Sequence, residues 1–277
     1  MIATLYIDGH DVFVDYGIFI TEGGYNGLLS FPSLKEPDKT DWAERDGIEV
    51  DLLNPVLDAK KFSVSFAVKS NGDFNGLMAL IFNQAYHTFN FAEVGLIKSL
   101  RVVSCSDFKG TNNSLRFFSL EFSDDFPLNA YIYQMPVSTQ ISQRGYELDS
   151  NDFSKYGVAI LDGSDAEILK PNAVKPNLTV NVKYVSGQTY SNDGVVFQSK
   201  DVKLKCLLLA TNILEFWRNY NALLFDLSKS GLRTIYYSGL GYKCHYKSSS
   251  VSRFDMKGRI WCEFEISLVF TKLGVQR

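Results

Sequence analysis

Histidine, proline and cysteine are scarce in this chain of 277 residues: three, seven and four, respectively. His10, His87 and His245 lie far apart and none falls in an H-E-x-x-H pattern, which excludes the zinc-peptidase arrangement; they are expected at the surface or at an interface. Cys105, Cys206, Cys244 and Cys262 form no C-x-x-C pair and all sit in apolar, strand-like contexts. Buried free thiols are therefore expected, and neither a metal nor a redox centre, because metal sites need closely spaced ligands. There is no G-x-G-x-x-G, no P-loop and no G-x-S-x-G, so the common dinucleotide, nucleotide-phosphate and hydrolase motifs are missing. No cofactor and no metal are expected. A net charge of −3 offers no basic field for nucleic acid.

Long apolar runs are missing too. The longest, Cys206 to Ala210, reads as a buried strand and is far short of the roughly 18 residues that a membrane span needs. Residues 1–8 carry neither a basic stretch nor a long apolar one, so no signal peptide is expected and the chain is expected to be made in a cytoplasm and to be soluble there. The sequons at Asn112 and Asn177 then carry little weight. Lys200, Lys203 and Lys205 alternate with apolar residues, as on the solvated face of a strand.

What the chain does have is an internal echo. Asp15-Tyr16-Gly17-Ile18-Phe19-Ile20 is answered by Lys155-Tyr156-Gly157-Val158-Ala159-Ile160, 140 positions on. Four further echoes follow in the same order: Asp46-Gly47 with Asp193-Gly194, Phe74–Tyr86 with Ile213–Leu224, Gly95–Arg101 with Gly231–Arg233, and Phe118–Ser123 with Cys262–Ser267. Five echoes in one order indicate two copies of a domain, since solenoid units are only about 20–50 residues long. The expected division is residues 1–128, a connector over 129–148, and residues 149–277.

The abundant phenylalanine and tyrosine, 21 and 15, favour strands. Residues 5–20 are expected as one or two short strands and a turn, 48–54 as a short strand, and 62–69 as a strand with one buried face. Phe74, Leu77, Met78 and Ile81 recur at helical spacing and predict an amphipathic helix of about three to four turns. The second half repeats this plan. Tyr156 to Leu161 reads as a strand, and Val202, Leu204, Cys206 and Leu208 form a buried strand face. Asn212 stands three residues before Glu215, resembling a capping box. The helix it opens is expected to run to about Leu224. A hairpin around Ser238-Gly239 and a closing strand from Arg259 to Phe270 follow. The expected fold is mainly β: two tandem barrels or sandwiches, each flanked by one helix. Arms are expected at 30–47 and at 170–190, the second as a β-hairpin turning near Gly187.

Few residues suggest chemistry. Glu263 and Glu265 point to one strand face, as a glycosidase pair would, but Phe264, Ile266 and Leu268 mark that face as solvent-exposed. Trp42, Trp217 and Trp261 are the cue for a carbohydrate- or surface-binding module, with Trp217 and Trp261 expected to be buried.

The order of strand, Gly turn, Pro- and Lys-bearing arm, alternating strand, helix and closing strand resembles the tube-type domain of bacteriophage distal tail and baseplate hub proteins. It is carried by Gly27–Pro32, Asp46-Gly47 and the helix at 74–86, and by Ile168–Pro171, Asp193-Gly194 and the helix at 213–224. The family's second, non-tube domain is not evident, and two tube-like halves stand in its place. The resemblance implies a non-enzymatic virion tail component that joins copies of itself into a ring of three or six chains, contacts other tail proteins, and inserts in no membrane. Candidate contacts between subunits lie in the arms: Pro32, Lys35, Trp42, Asp46, Pro171, Lys175, Tyr184 and Asp193.

Overall fold

The computed structural model describes residues 5–21, 23–106, 109–110, 115–176, 179–190 and 194–276. It is mainly β, with curled antiparallel sheets and few helices. The first part of the chain supplies β1 (Leu5–Ile7), β2 (His10–Asp11), helix α1 (Val12–Tyr16), β3 (Ile18–Ile20) and helix α2 (Asn26–Leu29). It continues with the hairpin of β4 (Lys39–Thr40) and β5 (Glu49–Val50), then β6 (Lys60–Val68), helix α3 (Phe74–Ile81), β7 (His87–Phe91), β8 (Leu96–Cys105), β9 (Lys109–Gly110) and β10 (Arg116–Asp124). These strands pair in the order β2-β1-β7-β8-β10-β6-β3, with β9 beside β10 and the β4–β5 hairpin apart.

The second part supplies β11 (Tyr146–Leu148), β12 (Asn151–Asp152), a 3-10 turn (Phe153–Tyr156), β13 (Val158–Ile160) and helix α4 (Ser164–Leu169). Next come the hairpin of β14 (Thr179–Val180) and β15 (Thr189–Tyr190), β16 (Lys200–Ala210), helix α5 (Ile213–Leu227), β17 (Arg233–Tyr237), β18 (Leu240–Asp255), β19 (Ile260–Phe270) and β20 (Val275–Gln276). Their sheet runs β12-β11-β17-β18-β19-β16-β13, with β20 beside β18 and the β14–β15 hairpin apart. Strand for strand, the two orders are the same.

Matching local chemistry accompanies the matching order. Asp8 and Asp149 both take positive φ, and each carboxylate accepts from the backbone N–H of a strand threonine, Thr88 or Thr234. Gly17 and Gly157 are both left-handed, each ending a helical turn, and each carbonyl accepts from the strand opposite, at Lys69 or Leu209. The Lys60 ammonium donates to the Leu28 carbonyl and the Lys200 ammonium to that of Ile168, again 140 positions on.

Strand alternation buries Phe62, Val64, Phe66 and Val68 of β6 against α3, and Val202, Leu204, Cys206 and Leu208 of β16 against α5. The side chains of Asp73 and Asn212 cap the two helices, accepting from the N–H groups of Gly76 and Glu215. The capping box is incomplete, because Glu215 turns back to the N–H of Thr211 and not of Asn212.

Several expectations are corrected. Helix α3 stops at Ile81 instead of reaching Tyr86. The next positions on its apolar stripe are Gln84 and Ala85, whereas α5 continues through Leu223, Leu224 and Leu227 and so outruns its expected end at Leu224. Residues 12–16 form a helix where strand was expected, because Asp11 caps the N–H groups of Phe13 and Val14. Tyr156 closes a 3-10 turn, so the strand after it begins only at Val158. In 48–54 only Glu49–Val50 is strand. Tyr146, inside the expected connector, already opens the second sheet.

Pairing also moves three of the echoes. Lys60 opposes Asp124 and Lys200 opposes Phe270, which puts Phe118 level with Phe264 and not with Cys262. Gly231 to Arg233 leads into β17 and so matches the entry to β7, not the start of β8. The loops 41–47 and 181–187 share one backbone pattern, so Gly47 matches Gly187, not Gly194. His87 and His245 are buried, not at the surface; His87 is held by Asp8 at 2.5 Å, and desolvation lowers the pKa of His245. Only His10 is exposed, near Asp15. Cys206, Cys244 and Cys262 are buried free thiols, while Cys105 is half-buried. Both sequon asparagines lie outside the described residues.

Candidate interface

The first arm packs on the second sheet, and its residues account for how. The loop Asp41–Gly47 between β4 and β5 curls so that three of its carbonyls point inward. Lys175, only 5% exposed, fills the space. Its ammonium donates to the Oδ1 of Asp41 at 2.5 Å and to the carbonyls of Trp42, Arg45 and Gly47 at 2.8, 2.7 and 2.7 Å. A buried ammonium is costly unless it is paired and hydrogen-bonded; here three protons are shared among four oxygens, one of them charged.

The rim of the loop is bonded as closely. The Gly47 N–H donates to the Phe197 carbonyl at 2.7 Å and the Ile48 N–H to that of Thr271 at 3.0 Å. The Asp46 carboxylate accepts from the Phe197 N–H at 2.8 Å. Gly47 has φ +70°, and a Cβ there would lie 1.6 Å from the Thr271 carbonyl oxygen, so only glycine lets the two backbones approach.

The base of the arm is held by polar tips of aromatic side chains. The Tyr246 hydroxyl donates to the Pro32 carbonyl and that of Tyr220 to the Leu29 carbonyl; away from the arm, the Trp217 indole donates to the Val94 carbonyl between β7 and β8. Leu29 and Phe31, although they come from the first part of the chain, belong to the second apolar core, where Phe31 lies 4.1 Å from Tyr220, ring centroid to centroid. In return, Phe254 and Met256 pack against the first core.

The candidate contact residues therefore separate into two groups. Pro32, Trp42, Asp46 and Lys175 meet in this junction within the chain, Trp42 through its carbonyl while its indole N–H donates to Glu49. Lys35, Pro171 and Tyr184 do not take part: all three are exposed, Tyr184 by 89%. Asp193 lies outside the described residues. Sequence reasoning missed Gly47 as a contact, as well as Thr271, Tyr220 and Tyr246. Tyr220 was legible only as part of an apolar helix face and Tyr246 only as part of a hairpin, since nothing in the sequence shows where a hydroxyl ends, and Thr271 contributes a backbone carbonyl that any residue has.

The other candidate chemistry is accounted for locally. Glu265 lies 3.0 Å from Lys203 on the neighbouring strand, in a cross-strand ion pair on the sheet's outer face. Trp217 and Trp261 are half-buried, where burial was expected; Trp261 is covered by the Arg253 guanidinium at 4.7 Å. No helix among the described residues is long and apolar enough to cross a membrane.

The fold and this junction define a mainly β protein in which two sheets of one strand order are locked together by an arm. No family model matches the sequence, and no curated protein matches it. Among solved structures it is similar to the SPP1 Dit (gp 19.1) protein, described as a paradigm of the hub adsorption apparatus in phages that infect Gram-positive hosts. The TM-score is 0.36 at 11% identity, over 97% of this chain and 98% of that one.

Proposed function

We propose that this chain is a structural, non-catalytic component of a phage or prophage tail, part of a distal tail or baseplate hub ring. Its two sheets are tandem tube-like domains, joined by a connector that ends where Tyr146 opens the second sheet. The observation that carries this reading is the clasp around Lys175, in which a module of one strand order grips a sibling module of the same order by its arm. Modules that join head to tail close into rings when the rotation allows. The tail setting is what the sequence resemblance implies: three chains would give six tube-like domains, and six chains would give two stacked rings. Other tail proteins would cover the faces of the ring.

Native mass measurement and electron microscopy test this together. Ring-shaped particles of three or six chains are expected. A strict monomer at high protein concentration, with no ring in micrographs, counts against the proposal, and antibody labelling that avoids the tail tip of intact virions rejects the location.

A further inference from the structure

Taken by its strand order, the chain contains two arms and two surfaces able to receive one. Among the described residues, one of each is used: the first arm grips the second sheet. The second arm and the first sheet's receiving surface are left over.

The unused positions match the used ones residue by residue, 140 apart. Lys175 fills the first arm's loop; its counterpart Lys35 is exposed, and its ammonium has no partner among the described residues. The two lysines are set up alike, since the backbone N–H of Lys35 donates to Val56 and that of Lys175 to Val196. The second arm's loop, 181–187, has the backbone pattern of 41–47. The same internal bond closes it: Val185 N–H donates to the Val182 carbonyl as Arg45 N–H does to Trp42. Gly187 keeps the positive φ of Gly47, yet a Cβ there meets nothing within 4 Å. Asn181 stands where Asp41 stands and keeps a side-chain oxygen acceptor.

Burial follows the same division. Leu29 is 1% exposed under the second sheet, while its counterpart Leu169 is 51% exposed. Leu34 packs against the second core, while Val174 is exposed. On the receiving side, Val56 at the base of the first arm beside Lys35 is exposed, while its counterpart Val196 is half-buried. Apolar groups covered at the used junction and exposed at its counterparts, Leu169, Val174 and Val56, mark an interaction surface.

We infer that the second arm grips the first sheet of another copy of this chain, closing loop 181–187 around that copy's Lys35 as loop 41–47 closes around Lys175. The contact rests on the proposed ring-forming role and specifies how one chain meets the next. It is heterologous, so every junction in the assembly, within or between chains, has one geometry. With a neutral Asn181 replacing Asp41, the contact between chains holds its ammonium by dipoles alone and is the weaker of the two.

Two variants test this, each damaging one face and leaving the chain's own fold intact. Lys35→Glu reverses the exposed charge on the receiving surface. Gly187→Asn puts a side chain that tolerates positive φ where the free chain has space and the docked one has none. Each alone is expected to raise the apparent dissociation constant of assembly on the order of 100-fold, leaving monomers with unchanged circular dichroism. Mixed in equal amounts, they are expected to form a species of twice the chain mass and nothing larger, because the intact arm of Lys35→Glu meets the intact receptor of Gly187→Asn. Wild-type assembly that persists in either variant, or a mixture that stays monomeric or regains full size, overturns this inference and leaves the ring proposal standing. A wild-type chain that stays monomeric overturns both.

Discussion

Replacing Lys175 by methionine isolates the clasp. The substitution keeps the length and apolar stem of the side chain and removes the ammonium, leaving the carbonyls of Trp42, Arg45 and Gly47 without their donor. Breaking a buried, hydrogen-bonded ion pair from one side costs roughly 3–5 kcal/mol. The carboxylate of Asp41 is 62% exposed and turns to water when released, which removes its share of the penalty. The expected loss is therefore at the low end, about 3 kcal/mol, or a fall in melting temperature of roughly 6–12 °C for a chain of this size. The loss is also local. The amides of Gly47 and Ile48, which donate to Phe197 and Thr271, are expected to lose hydrogen-exchange protection while those of β6 and β16 keep theirs. Lys35→Met, at the matching exposed position, is the control and changes the stability of the dilute monomer by no more than about 0.5 kcal/mol. A Lys175→Met chain within about 1 kcal/mol of wild type, with those two amides still protected, would falsify the assignment of Lys175 as the pin of the clasp.

Two further outcomes are expected. Gly47→Ala forces a Cβ onto the Thr271 carbonyl and is expected to detach the first arm. Gly187→Ala meets no atom and costs only the left-handed strain of about 1–2 kcal/mol, so melting curves separate the two; equal losses refute the difference in their surroundings. For Lys60, burial pushes the pKa down from 10.5 to about 7, with Asp124 opposing the shift. Between these values the unfolded chain holds a proton that the folded chain has released, so Lys60 makes stability rise with pH through that window, its penalty being complete below about 7. Urea titrations from pH 7 to 10 are expected to show a flatter slope for Lys60→Met than for wild type; parallel slopes contradict the buried ammonium.

Much of the architecture was legible because it depends on local periodicity. The alternation in 62–68 and 202–208 gave β6 and β16, each one strand in from the end of its sheet, and Asn212 placed the start of α5, since caps and two-residue repeats are written in neighbouring residues. The Tyr-Gly echo marked two points that hold equivalent left-handed turns. The register of the weaker echoes was not legible. A slip of two residues preserves the buried face of a strand, so Phe118 matches either Cys262 or Phe264 by pattern alone, and only the cross-strand pairing of Lys60 and Lys200 decides between them.

The sequence by itself determined a mainly β chain with two arms, because strand alternation, caps and turn glycines act over a few residues. Only the tertiary structure decided that the two arms have different fates. Lys35 and Lys175, like Gly47 and Gly187, occupy equivalent positions in equivalent loops, and what makes one of each buried and the other exposed is the neighbouring sheet. Backbone carbonyls make the cage and a backbone oxygen excludes the side chain, and these groups are the same in every residue, so no sequence pattern announces where they converge.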